Sequence, residues 1–441
     1  MAELVIRGGS VVDASGVRRA DVAVSGKFVV AVGEDLPVPT GARVLDAGGC
    51  VVCPGFVDLH THLRQPGREE AETIETGARA AARGGFTAVV AMPNTEPAID
   101  SAAVVREVQE LARDVSCRVE VAGAITVGRA GERLVPMAEM AELGVRIFTD
   151  DGTGVQDSRL MRRAFEYARP LGVTLAQHCE DAALAAGGVM NEGEWSSRLG
   201  LPGIPAEAEE LMVMRDVALA RLTGGRIHFL HLSTAGSVAV VGAARSQGMA
   251  VTAEATPHHL AIDDSHLSGF DTVFKVNPPL RTRVDIEAIR RGLAEGVIDA
   301  IATDHAPHPQ ESKEAPMDQA PFGMGGLETA LAVAITELCD GAPDGGDEPR
   351  RTVMPLAEVI GALSWRPAAI AGISASHGGP VAAGAAANLC VFDPRARWVV
   401  DPGRMASRSR NNPFAGRRLT GQVRHTVHEG SAVVIDAEAQ R

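Results

Sequence analysis

Aromatic residues are scarce in this chain: 3% of 441 residues, with one Tyr, three Trp and eleven Phe. Its 45% apolar content must therefore form a core mostly from Ala, Val, Leu and Ile. No apolar run approaches the length of a membrane-spanning helix. The start, MAELVIRGG, lacks the basic residues and long apolar stretch of a signal peptide, so a cytoplasmic protein is expected. The six cysteines (Cys50, Cys53, Cys117, Cys179, Cys339 and Cys390) are scattered and read as reduced thiols. Cys50 and Cys53 form a CxxC, but no second pair completes a zinc knuckle. Lysine occurs only three times, at Lys27, Lys275 and Lys313. A net charge of −14 disfavours non-specific binding to nucleic acid. It leaves open an anionic small substrate, whose binding depends on where individual arginines sit.

The length exceeds what one hydrophobic core usually serves, which predicts a large domain and a smaller one. Residues 1–53 read as short strands broken by Gly, Asp and Ser turns about every ten residues, the rhythm of a β-sandwich. Residues 376–441 repeat that texture in NLCVFDP, RWVVDP and GQVRHTVHEGSAVVIDAE. One small sandwich built from both termini is the economical reading. Between them, residues 54–375 alternate strands and helices. TIETGARAAARGG precedes FTAVVAMPNT, SAAVVREVQELARDV precedes RVEVAGAITVG, and the alternation continues to VIDAIATDHAPH. With FVDLHTH first, there are eight strand ends, which predicts an α/β fold of the (β/α)8 TIM-barrel type. Two connections stand out. Residues 306–325 are Pro- and Gly-rich, follow a ligand-bearing strand and read either as a mobile lid or as a static surface loop. GAPDGGDEPRR at 341–351 reads as a solvated surface connection.

Six potential metal ligands punctuate the strand ends: His60, His62, Asp151, His178, His231 and Asp304. Residues two apart on a strand share a face, so His60 and His62 can hold one cation together. One polar ligand at the end of each successive strand is how a parallel barrel presents a site. Four imidazoles with two carboxylates suit Zn²⁺, as one ion or two. A lone strand-end histidine is usually a packing residue, but an HxH with two further strand-end histidines points to metal-assisted hydrolysis. His228, three residues before His231, falls on the other face and is expected to be structural. His258 and His259 are read as packing residues. Asp150 and Asp151 compete for one inward position, and strand alternation admits only one of them. A carboxylate there can bridge two cations. Asp304 is the natural general base, able to ligate a metal and shuttle a proton. Arg64, two residues past the HxH, offers a fork for a substrate carboxylate. His308 offers a second anion contact. Asn94 and Asn277 end strands, where an amide can fix a polar heterocycle or cap a turn.

The motifs DLHTHLRQPG, AMPNTEP, FTDDG, QHCED, HLST, ATPHHL, NPPLR, TDHAPH and FGMGGLET, spanning residues 54 to about 330, resemble those of dihydroorotases of the amidohydrolase superfamily, long bacterial type. The resemblance implies interconversion of N-carbamoyl-L-aspartate and L-dihydroorotate in pyrimidine synthesis. It implies that His60 and His62 bind one zinc, His178 and His231 the other, and that Asp151 bridges. Asp304 would be ligand and base. Arg64, Asn94 and His308 would hold the substrate carboxylate, with His62 facing substrate as well as metal. Asn277 and the Phe322-Gly323 backbone would hold the ring. Gln65 stands where many relatives carry Glu, which puts no ligand in doubt. For partners, the resemblance implies a homodimer or an assembly with aspartate transcarbamoylase.

Two rival functions would leave different residues. Hydantoinases and allantoinases, cyclic amidases of the same superfamily, usually bridge their metals with a carboxylated lysine. None of the three lysines lies beside FTDDG, and such substrates give Arg64 no carboxylate to hold. A silent homologue that only scaffolds aspartate transcarbamoylase would be expected to have lost ligands, whereas all six are present.

Overall fold

Eight short strands carry the candidate ligands, and their pairing closes on itself. A computed structural model of the chain describes residues 2–339 and 352–440; the connection at 341–351 lies outside the described residues. The strands are β1 (Phe56–Thr61), β2 (Phe86–Ala91), β3 (Arg118–Val121), β4 (Ile147–Phe148), β5 (Thr174–Gln177), β6 (Ile227–Phe229), β7 (Val251–Ala255) and β8 (Ala300–Ile301). Successive strands pair in parallel from β1 to β3 and from β4 to β8. A parallel bridge between Gly123 and Phe148 joins β3 to β4, and one between Thr61 and His305 joins β1 to the residues after β8. The circle of eight is therefore complete, as the sequence predicts.

Helices return the chain between strands, each stopped and started by local chemistry. Ile74–Arg83 begins with a reciprocal Thr73/Thr76 cap. Ser158–Leu171 is capped by the Asp157 carboxylate and ends at Gly172, whose φ of 68° a side chain would resist. Two apolar layers result. Strand residues such as Phe56, Val89, Phe148, Leu175 and Phe229 pack against helix residues such as Ala78, Val105, Met161 and Phe165. A second cluster joins Val57, Leu59, Val90, Ile147, Ala176, Leu230 and Ala300 from strands all round the circle, which only the barrel interior allows. Small side chains dominate this interior, and Phe56, Phe86, Phe148, Phe165 and Phe229 belong to the outer layer between strands and helices.

The chain termini share one sheet. Val51–Pro54 runs parallel to Ser10–Asp13 and antiparallel to Leu389–Val399, with Cys53 opposite Cys390. A four-stranded sheet of Leu4–Arg7, Asp21–Ser25, Phe28–Gly33 and Arg43–Asp46 packs on it through Leu4, Ile6, Val22, Val52, Leu389, Val391 and Val427. This is the β-sandwich expected from both ends of the sequence. Among the described residues, no helix is long and apolar enough to cross a membrane.

Candidate metal centre

All six predicted ligands converge at the carboxyl ends of the barrel strands, and all are buried. Asp151 is the hub. Its Oδ1 lies 3.3 Å from His60 Nε2, 3.7 Å from His178 Nδ1 and 3.6 Å from His231 Nε2, while its Oδ2 lies 3.5 Å from His62 Nε2. Asp304 Oδ1 faces His62 Nε2 at 3.0 Å and His60 Nε2 at 3.6 Å. Two ligand sets follow, His60–His62–Asp151 and Asp151–His178–His231, each with its donor atoms within 4.8 Å of one another.

These separations fit divalent metal. Ligand atoms about 2.0–2.2 Å from one tetrahedral ion stand roughly 3.3 Å apart. His60 Nε2 points into the cluster and has no hydrogen-bond partner of its own. The electrostatics agree. Burial works against an Asp151 charge, but His60, His178 and His231 outweigh it and hold the carboxyl well below the usual carboxylate range. Burial likewise opposes a charged His60, yet Asp151 and Asp304 raise it well above an ordinary imidazole. Such a cluster attracts protons or a metal cation in competition, so cation binding releases protons.

Neighbouring polar groups fix which imidazole nitrogen faces inward. His60 Nδ1 donates to Glu254 Oε1 at 2.8 Å, and the other Glu254 oxygen accepts from His228 Nε2 at 3.0 Å. Burial alone would raise Glu254, but the two histidines bring it down to about 2. His62 Nδ1 donates to Asn94 Oδ1 at 2.8 Å. Both Nε2 atoms thereby face Asp151 and Asp304, where each could ligate a cation, as in carboxylate–histidine–metal arrangements. His228 is structural, as expected, yet it acts on the site through Glu254. Sequence reasoning missed Glu254. The signal was a carboxylate inside the buried strand VTAEA, which burial alone would make costly without partners.

The two aspartates take different surroundings. Asp150 Oδ1 accepts from the Ile125 and Thr126 backbone N–H groups at 2.8 and 3.0 Å, and its Oδ2 accepts from the Thr126 hydroxyl. It is consumed in tying β4 to the segment after β3. Asp58, also unforeseen, ties β1 to β8. It accepts from His60 N at 3.1 Å, Thr303 N at 3.0 Å and Thr303 Oγ1 at 2.5 Å, which sets His60 beside Asp304. Three site residues hold positive φ without being glycine: Arg64 at 62°, His231 at 32° and Asp304 at 47°. Strain of this kind gathers where side-chain direction matters more than backbone comfort.

A pocket of about 300 Å³ opens above the cluster. Its walls include Arg64, Arg68, Asn94, Asn277, His308, Phe322 and Gly323, with five of the six candidate ligands, His62, Asp151, His178, His231 and Asp304, at its base. Arg64 is buried, which lowers its guanidinium to about 10, and its Nε donates to Pro307 O at 3.1 Å. His308 Nε2 donates to Phe322 O at 2.8 Å; burial and the adjacent Arg64 push this imidazole down to about 3, so it is neutral. Asn277 Oδ1 is buried and has no hydrogen-bond partner. The Gly323 N–H donates to Lys275 O at 3.0 Å, and its carbonyl accepts from Asn411 Nδ2 at 2.7 Å. The segment expected to be a lid covers this wall and is tied down by Asn411 and by Ser409, whose hydroxyl donates to His308 O at 3.0 Å. His258 and His259 are buried outside the pocket lining; His259 bonds Thr256 Oγ1 and Pro278 O.

Comparison with known proteins agrees with this geometry. Residues 49–237 match a family described as dihydro-orotase-like. The chain is 47% identical over 441 residues to a dihydroorotase of Streptomyces coelicolor, covering 99% of this chain and 100% of that one. It is 48% identical over 446 residues to a dihydroorotase of Anaeromyxobacter dehalogenans, covering 99% of each. Among solved structures it is similar to an L-hydantoinase (dihydropyrimidinase) from Arthrobacter aurescens, with a TM-score of 0.87 and 25% identity over 100% of this chain and 98% of that one.

Proposed function

The chain belongs to the dihydroorotase family of cyclic amide hydrolases, and from that premise we propose how its residues interconvert N-carbamoyl-L-aspartate and L-dihydroorotate. The observation that carries the reading is Asp151 shared between two histidine pairs at the floor of a pocket walled by Arg64. Four imidazoles and carboxylate oxygens favour zinc. His60 and His62 would hold one ion, His178 and His231 the other, with Asp151 common to both and Asp304 as a further ligand. When bound, the metal supplies a polarised carbonyl and a nucleophile competent at neutral pH.

The remaining work falls to side chains. Asp304, kept ionised by His60, His62 and His231 despite its burial, takes the proton of the attacking water at a carboxylate oxygen. It then returns that proton to the ring nitrogen as the amide bond breaks. Arg64 presents its fork to the substrate carboxylate, and the Asn94 amide nitrogen lies free for the same group once its oxygen serves His62. His308 would add an N–H if the carboxylate displaced Phe322 O. Asn277 Oδ1, an acceptor with no partner, suits a ring N–H. Burial of these groups strengthens each interaction relative to water. The six cysteines are all free, which suits a reducing cytoplasm. The homodimer and the assembly with aspartate transcarbamoylase stay proposals carried by family resemblance.

The deciding experiment is metal analysis of the purified protein beside assays with dihydroorotate and with hydantoin. Dihydroorotate should be the better substrate. A preference for hydantoin, which carries no carboxylate, would overturn the assignment of the Arg64 pocket.

Arg64→Lys should retain its metal and bind substrate poorly. Lysine keeps the charge and loses the bidentate fork. Charge-assisted hydrogen bonds contribute roughly 1.5–3 kcal/mol each, so KM should rise about tenfold or more. A KM equal to the parent's in steady-state kinetics would remove Arg64 from the carboxylate site.

A further inference from the structure

Two of the chain's three lysines meet beside the pocket, and neither is needed for the chemistry above. The Lys313 ammonium is buried and donates to three backbone carbonyls: Lys275 at 3.1 Å, Pro321 at 2.9 Å and Gly323 at 3.0 Å. An ammonium has three donors, so the backbone alone saturates it. Its own carbonyl accepts from the Thr272 hydroxyl. Lys275 completes the arrangement, with Nζ 4.5 Å from the Phe322 ring centroid and donating to Met317 O at 2.5 Å.

The owners of those carbonyls matter. Lys275 lies two residues before Asn277, and Pro321 and Gly323 flank Phe322. Asn277, Phe322 and Gly323 all line the substrate pocket. One ammonium therefore joins the wall that follows β7 to the wall that follows β8. It also steadies Phe322 O, the carbonyl to which His308 donates. Burying a cation among neutral dipoles, with a second lysine nearby, is costly. Burial and Lys275 push Lys313 down to about 7. Arginine cannot replace it, because a planar fork does not converge on three carbonyls as a compact ammonium does.

We propose that Lys313 is a positioning residue: its ammonium, cradled by the Lys275, Pro321 and Gly323 carbonyls, sets the spacing of the Asn277 and Phe322 walls and so the affinity for substrate. The proposal rests on the dihydroorotase reading of the pocket.

Lys313→Met keeps the stem and removes the donors. Its KM for dihydroorotate should rise about tenfold or more, with kcat within about threefold and metal content unchanged. Lys313→Arg should share the defect. Lys313→Ala should recover a lower KM with added propylammonium and none with propanol. In hydrogen exchange on the full chain, amides of 317–324, Gly323 above all, should exchange faster in Lys313→Met than in the parent. Unchanged KM, an Arg variant equal to the parent, or unchanged exchange would each overturn the cradle. A parent that fails to turn over dihydroorotate would overturn the activity reading instead, and the exchange comparison would still judge the cradle by itself.

Discussion

Asp304→Asn should end turnover while most of the metal stays bound. Asp304 Oδ1 stands 3.0 Å from His62 Nε2 and 3.6 Å from His60 Nε2, at the base of the pocket. Its burial opposes ionisation, but the surrounding imidazoles hold the carboxyl below the ordinary carboxylate range, so it stands ionised with no proton of its own. Asparagine keeps one oxygen as a weaker ligand and cannot take that proton. The backbone should tolerate the change, because φ at Asp304 is 47° and asparagine is among the few residues at ease there. Four histidines and Asp151 remain to hold cation. Loss of a general base costs about 10²- to 10⁴-fold in rate, and the weakened ligand adds to that. The check is kcat beside metal content by atomic absorption. Activity within about tenfold of the parent would rule out Asp304 as the base, since such a residue contributes more than that.

The barrel was legible because each unit announces itself locally. FTAVVA, VTLAQ and IHF are buried apolar runs, and helices such as 158–171 begin at an acidic cap and end at glycine. All eight strand ends read from the sequence are strand ends in the structure. The candidate ligands were legible through their joint occurrence: a single strand-end histidine is usually a packing residue, but six ligand-type residues at successive strand ends point to one shared site. What stayed hidden depends on neighbours distant in sequence. Asp150 and Asp151 could be told apart only once Ile125 and Thr126 were known to occupy Asp150. Glu254 matters because β7 brings it beside His60, 194 residues away. Residues 306–325 look like a lid by composition, yet Ser409 and Asn411 of the C-terminal segment and Lys313 within it hold their carbonyls. No local pattern reports that a buried ammonium will satisfy three of them.

Apo-protein reloaded with zinc in bicarbonate-depleted buffer should recover full activity, and Asp151→Ala should not. A carboxylated lysine, the usual bridge in many relatives by superfamily resemblance, needs dissolved carbon dioxide before it can bridge. An aspartate carries its carboxylate from synthesis. Both offer one negative charge and two oxygens, so the same metal chemistry is open to either. Here Asp151 Oδ1 faces His60, His178 and His231, and Oδ2 faces His62. Of the three lysines, Lys275 and Lys313 are committed to carbonyls and Lys27 pairs with Glu429. None stands in for Asp151. Removing it leaves Asp304 facing His60 and His62 but takes away the carboxylate that faces His178 and His231, and unpaired buried charge costs several kcal/mol, about 3–5 where a buried pair is broken. Metal content should therefore fall together with turnover in Asp151→Ala. Asp150→Ala should act differently: it frees the Ile125 and Thr126 N–H groups and destabilises the fold, by about 1–3 kcal/mol for each donor left unsatisfied, while the folded fraction keeps its metal. Stimulation of the reloaded parent by bicarbonate, or metal retained in Asp151→Ala and lost in Asp150→Ala, would show that the bridge lies elsewhere.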